Sequence, residues 1–276
     1  MRRFRASAGF TERWQQHFDF AVAGGIATLT LARPEKLGAL TFDAYADLRD
    51  LLAELPHRGD ARALVITGRG RGFCSGGDVV EIIGALQSMQ AGDLLDFTRM
   101  TGSVVRALRE CPLPVIAAVN GVAAGAGAVI ALASDFRLLA RSATFAFLFT
   151  KVGLAGADMG SAYLLPRVIG LGRATELLML GDTVDSERAL QIGLATSVVD
   201  DDALSAAALS LGRRLADGPA LAYSTTKVLL TRELDVGLGA ALELDAMTQA
   251  LLMGSHDHAE YHRAWTEGRA PVWEGR

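Results

Sequence analysis

Cys74 and Cys111 are the only cysteines in this 276-residue sequence. Two thiols so placed make neither a disulfide framework nor a zinc motif. A soluble protein of a reducing compartment, the cytoplasm, is the expectation. Histidine is nearly as scarce: His17, His57, His256, His258 and His262 leave residues 58–255 with no imidazole. A Ser/His/Asp triad in the middle of the chain is therefore not expected. Charge of either sign is not in excess, with 27 Lys and Arg against 31 Asp and Glu and a formal net charge of −4. That balance offers no basic face for nucleic acid or an anionic membrane. No apolar run reaches the length of a spanning helix. The N-terminal MRRFRASAGFTERW is basic but has no apolar centre, so it does not read as a secretory signal. Residues 1–16 are expected to form a polar extension.

What the chain has in quantity is apolar and small residues: 50% hydrophobic and 30 glycines. Their arrangement argues for an α/β core. Phe18–Val22 and Ile26–Leu31 flank Gly24-Gly25, a hairpin signal. An amphipathic helix is expected from Thr41 to about Leu55. Short apolar strands follow at Ala63–Thr67, Val115–Val119, Arg137–Ala140, Ala143–Phe147 and Ala195–Val199, and helical segments are expected between them. These include Val79–Met89, Leu94–Glu110, Val129–Ser134, a helix starting near Met159 and broken near Pro166, Ala174–Leu180 and Ser186–Ile192. Residues 203–265 read as helices throughout. The expected division is an extension over 1–16, a core over 17–200 and a helical region over 201–276, with buried subunit surface.

Two Gly-rich turns each follow an apolar strand: Gly72–Asp78, and Asn120–Gly127 within PVIAAVNGVAAGAGAVIALASDFRLLA (Pro114–Ala140). Small side chains let a ligand approach the main chain. The first amides of a helix lack intrahelical acceptors and favour an anion or a polarised carbonyl oxygen. Two such turns can clamp one oxygen from two sides; tight turns with close helix packing are the other reading. A dinucleotide fingerprint is not met, because Gly125-Ala126-Gly127 is followed by Ala128, Val129 and Ile130, with no third glycine.

With these pieces the chain resembles the crotonase superfamily, the enoyl-CoA hydratase/isomerase family. The resemblance rests on LARPEKLGAL (Leu31–Leu40), GRGRGFCSGGDVVEI (Gly68–Ile82), the Pro114–Ala140 stretch, FAFLFTKVGLAGADMGSAYLLPRVIG (Phe145–Gly170) and GDTVDSERALQIGLATSVV (Gly181–Val199), and extends to EGRAPVWEG (Glu267–Gly275). It implies a spiral of ββα repeats with a C-terminal helical trimerisation region, giving a homotrimer or a hexamer of two trimers. It implies an acyl-CoA thioester as ligand and no separate cofactor, CoA being part of the substrate. Its oxyanion hole falls on the N–H groups of Gly77 and Ala126, the latter where relatives commonly have glycine. Lys36, Leu37 and Ala39 fall where relatives contact CoA, although a solvated Lys36 is equally compatible. Ser75, Gly76, Gly77, Asp78 and Val79 complete the expected substrate turn, with Asp78 read as a brace rather than an acid. Asp135 is read as structural.

The sequence departs from the hydratases of that family where they place two glutamates. Those positions fall on Val129 and about Phe149, and no acidic residue lies between Glu110 and Asp135 or between Asp135 and Asp158. Hydration of an enoyl thioester needs titratable groups to activate water and deliver a proton. Asp158 is the remaining candidate, close to where dienoyl-CoA isomerases of the superfamily carry an acid; a helix cap at the start of the next helix is the competing reading. The expected activity is therefore proton-shift isomerisation, or another enolate reaction, using Asp158. A non-catalytic acyl-CoA-binding protein and a hydratase with atypical residues are the alternatives. Phe147, Phe149 and Tyr163 admit a bulky or aromatic acyl group.

Overall fold

Gly24 and Gly25 turn the chain sharply at its first hairpin, which pairs β1 (Phe18–Ala23) with β2 (Ile26–Leu31) in antiparallel register. The computed structural model describes residues 17–276, and the extension expected over 1–16 lies outside the described residues. The other strands are β3 (Ala63–Gly68), β4 (Gly72–Cys74), β5 (Val115–Val119), β6 (Val122–Ala124), β7 (Phe136–Ala140), β8 (Thr144–Ala146), β9 (Val184–Asp185) and β10 (Ser197–Val199). They form two sheets, a large one ordered β1-β2-β3-β5-β7-β10 and a small one ordered β4-β6-β8-β9. From β2 onward the large sheet is parallel. In the small sheet β4, β6 and β8 are parallel, and β9 joins antiparallel.

The helices are α1 (Phe42–Arg58), α2 (Gly84–Leu86, continuing a π-helical turn over Val79–Ile83), α3 (Ala91–Glu110), α4 (Ala126–Ala133), α5 (Ser161–Ile169), α6 (Leu171–Leu180), α7 (Ser186–Gln191), α8 (Leu204–Ala216), α9 (Ala220–Arg232), α10 (Leu238–Met253) and α11 (His256–Glu267). Three times in succession the chain runs through one strand of the large sheet, crosses to one strand of the small sheet and then turns into helix: β3–β4, β5–β6, β7–β8. This is the ββα spiral that the resemblance implied. Asn120 ties successive turns together. Its Oδ1 accepts from the Gly68 amide at 2.9 Å, and its Nδ2 donates to the carbonyls of Gly70 (2.9 Å) and Gly72 (3.2 Å).

Local signals explain most elements. Thr41 caps α1, its hydroxyl accepting from Ala44 N at 3.1 Å. The buried residues Tyr45, Leu48, Leu51, Leu52 and Leu55 recur at helical spacing and form its inner face. α8 packs across β3, β5 and β7. Lys227 on α9 is buried and pairs with Asp135 at 2.8 Å, while Asp135 also accepts from Val115 N at 2.8 Å. Asp135 thus has the structural part expected of it. Three readings need correction. α5 begins at Ser161, not Met159, because Met159 takes φ +50° and Gly160 φ +85°, outside the helical region. It also runs unbroken through Pro166 and ends at Gly170. The short strands β4 and β6 occupy residues read as Gly-rich turn.

Candidate active site

The site is built where two turns touch. One leaves β4 through Ser75, Gly76 and Gly77; the other leaves β6 through Gly125 into α4. Gly76 has φ +97°, and Gly125 has φ +52° with ψ −120°, conformations that only glycine adopts without strain. The absence of a side chain at 76 also brings the turns together: a Cβ there would stand 3.1 Å from the Ala124 carbonyl oxygen and 3.5 Å from the Ala126 nitrogen. Ala126 is the first residue of α4, so its amide has no intrahelical acceptor. Among the described residues neither that amide nor the amide of Gly77 donates to a protein acceptor. Two free main-chain donors on adjoining turns are the geometry needed to hold a developing oxyanion.

The loop before α1 is laced to the first turn. Leu40 N donates to Gly76 O (2.8 Å), Asp78 N to Leu40 O (2.9 Å), Ser75 N to Leu37 O (2.9 Å), and Ser75 Oγ to Lys36 O (2.9 Å). Lys36, Leu37 and Ala39 therefore border the same turn as Ser75, Gly76 and Gly77. Lys36 is exposed and Ala39 is buried. Asp78 braces the turn, as its sequence context implied. Its Oδ1 accepts from Val80 N (3.0 Å) and Glu81 N (3.1 Å), and its Oδ2 accepts from Arg33 Nη2 (2.9 Å). The Glu81 amide foremost, with the Val80 amide and the Arg33 guanidinium, holds this carboxyl below the usual carboxylate range. Val79, next in line, is largely exposed.

Asp158 is half-buried in the loop before α5. Its Oδ1 accepts from the Met159 amide at 2.8 Å, and its own amide donates to Ser161 Oγ at 3.1 Å. Ser161, fully buried, donates in turn to Gly156 O at 2.8 Å and so fixes the loop. Gly160 occupies the cap position of α5, so Asp158 is not that helix's N-cap. Burial, the larger influence, raises its pKa, and the Met159 amide partly opposes this. Leu37 and Met159 are the two non-glycine residues with positive φ among those described; one lies in the loop before α1 and the other beside Asp158. Such strain gathers at functional sites.

Val129 and Phe149 are both buried. Cys74, also buried, has its thiol pushed up to about 12 by desolvation, which disfavours the thiolate. Phe147 belongs to the core, whereas Tyr163 is partly exposed and donates to Asp235 Oδ1 at 2.6 Å. Among the described residues no His, Cys, Asp and Glu group is arranged to hold a metal. No described helix is long and apolar enough to cross a membrane. Sequence reasoning missed Arg33 and Ser161, whose partners become neighbours only on folding.

The fold is shared with known proteins. The enoyl-CoA hydratase/isomerase family pattern matches residues 21–276, and the chain belongs to that family. It is 38% identical over 260 residues to the 1,2-epoxyphenylacetyl-CoA isomerase of Escherichia coli K12, covering 92% of this chain and 97% of the relative. It is 31% identical over 257 residues to the trans-2-decenoyl-[acyl-carrier-protein] isomerase of Streptococcus mutans, covering 93% and 97%. A crystal structure from Streptomyces coelicolor A3(2), described provisionally as an enoyl-CoA hydratase, superposes with a TM-score of 0.97 at 64% identity over the whole of both chains. The protein is an enzyme of the hydratase/isomerase family.

Proposed function

We propose that this enzyme binds an acyl-CoA thioester, holds its enolate oxygen on the amides of Gly77 and Ala126, and moves a proton on the acyl chain with Asp158. The observation that carries this reading is the pair of acceptor-free amides on touching turns. An enolate needs such donors when a proton leaves the α-carbon, and they cost no reorganisation as charge develops. Asp158 supports the proton shift. Its carboxyl is half-buried with a raised pKa, which suits a group that must both take and return a proton. The apolar Val129 and Phe149, at the expected positions of the hydratase glutamates, favour isomerisation over hydration. Two relatives of similar length are named as isomerases, and the first acts on an aromatic epoxyacyl-CoA by its name. The protein works in the cytoplasm, with CoA arriving on the substrate and no further cofactor.

Calorimetry with a series of acyl-CoAs tests binding, and proton exchange in heavy water tests chemistry. Wild type binds and exchanges α- or γ-hydrogens, while hydration of crotonyl-CoA is slow or absent. Asp158→Asn binds equally and loses exchange by at least ~10²-fold. Equal exchange by both would remove Asp158 from the chemistry. Binding with no exchange by either would make the chain a carrier of acyl-CoA.

A further inference from the structure

Tyr45 stands on the first turn of α1 and is only 3% exposed. The edge of its ring contact is with Phe97, at 6.1 Å between centroids and 82° between planes, and Phe42 packs on the same Phe97 at 5.1 Å. This aromatic group holds the ring with its hydroxyl close to Gly77. The oxygen lies 3.6 Å from where a Cβ on Gly77 would be, beside one of the two free amides. It has no hydrogen-bond partner among the described residues. Among the described residues the sealed, unpartnered polar atoms are Thr150 Oγ1, Glu233 Oε1 and His256 Nδ1, and the Tyr45 oxygen is not one of them. A buried phenol ordinarily finds an acceptor, and leaving one unpaired is costly.

We propose that the Tyr45 hydroxyl donates a hydrogen bond to the thioester oxygen of the bound acyl-CoA, alongside the amides of Gly77 and Ala126. The assignment rests on the acyl-CoA reading above. Burial first, then the nearby Cys74 and Asp158, push the phenol's pKa well above its ordinary value. The hydroxyl therefore keeps its proton, as a donor must. It makes Tyr45 a side-chain member of a site otherwise built from main chain, and a catalytic residue if the bond strengthens as the enolate forms.

The test is Tyr45→Phe, which removes one oxygen and keeps the ring. Melting temperature is unchanged, since the hydroxyl has no partner among the described residues. Affinity is measured by calorimetry for butyryl-CoA and for S-butyl-CoA, a thioether lacking the carbonyl. The variant binds the thioester about three- to tenfold more weakly and the thioether as wild type does. Its proton exchange in heavy water falls further than its binding, by at least about tenfold. Equal losses for both ligands, or none for either, overturn the role of Tyr45 while leaving the acyl-CoA reading intact. Failure of wild type to bind any acyl-CoA overturns that reading and this one with it.

Discussion

Asp158 shows how far a single side chain's part can be read before folding. Its position as the one acid between Asp135 and Glu176 was visible in the sequence. Its surroundings were not, because the Ser161 hydroxyl, the Met159 amide and burial meet it only through a loop held at positive φ. A cap was a reasonable expectation for an Asp three residues before Ser161, but the left-handed residues between them delay the helix. The raised pKa has a consequence for stability. The folded state holds this proton more tightly than the unfolded chain, so the carboxyl costs stability as pH rises from about 4 through the raised value. Asp158→Asn keeps an oxygen for the Met159 amide and escapes that cost. Thermal scans should show the variant melting above wild type at pH 7 and level with it near pH 3.5. A difference independent of pH would mean that the carboxyl is not desolvated.

At the level of elements, the large sheet was legible and most of the small one was not. Residues 63–66 of β3 and the whole of Val115–Val119 are continuous apolar runs buried on both sides, the pattern of a parallel sheet. β4 and β6 are three residues each, too short to show a period, and their pairing is with each other across distant parts of the chain. What marks them is glycine at the points of contact. A Cβ on Gly127, in the first turn of α4, would lie 2.0 Å from the Cys74 carbonyl oxygen of β4. Gly127→Ala gains about 1 kcal/mol of helix propensity, but α4 must then back away from the small sheet. Overpacking of this kind costs about 1–3 kcal/mol or more, and here the obstacle is main chain, which cannot rotate aside. A net loss of about 2 kcal/mol is expected in urea unfolding, together with weaker acyl-CoA binding as the Ala126 amide is displaced. Unchanged stability would show that the two elements slide apart freely.

On the scale of the whole molecule, large apolar side chains are left exposed along the C-terminal helices, the kind of surface that marks an interaction site. α10 buries none of its sixteen residues, and Leu238, Leu242, Met247, Leu251 and Met253 on it are exposed. Leu230 and Leu234, just before it, add to that surface. We propose that this region joins copies of the chain into a trimer, or a hexamer of two trimers. Light scattering should give three or six times the 29.1 kDa chain mass, and a species at the single-chain mass at micromolar concentration would refute it. The paired turns carry one further implication. Their donors belong to the main chain, so replacing the side chains around them need not remove the means of gripping the thioester. Grip and reactivity are therefore separable in this chain: the first is written in loop shape, the second in whichever side chain stands nearby.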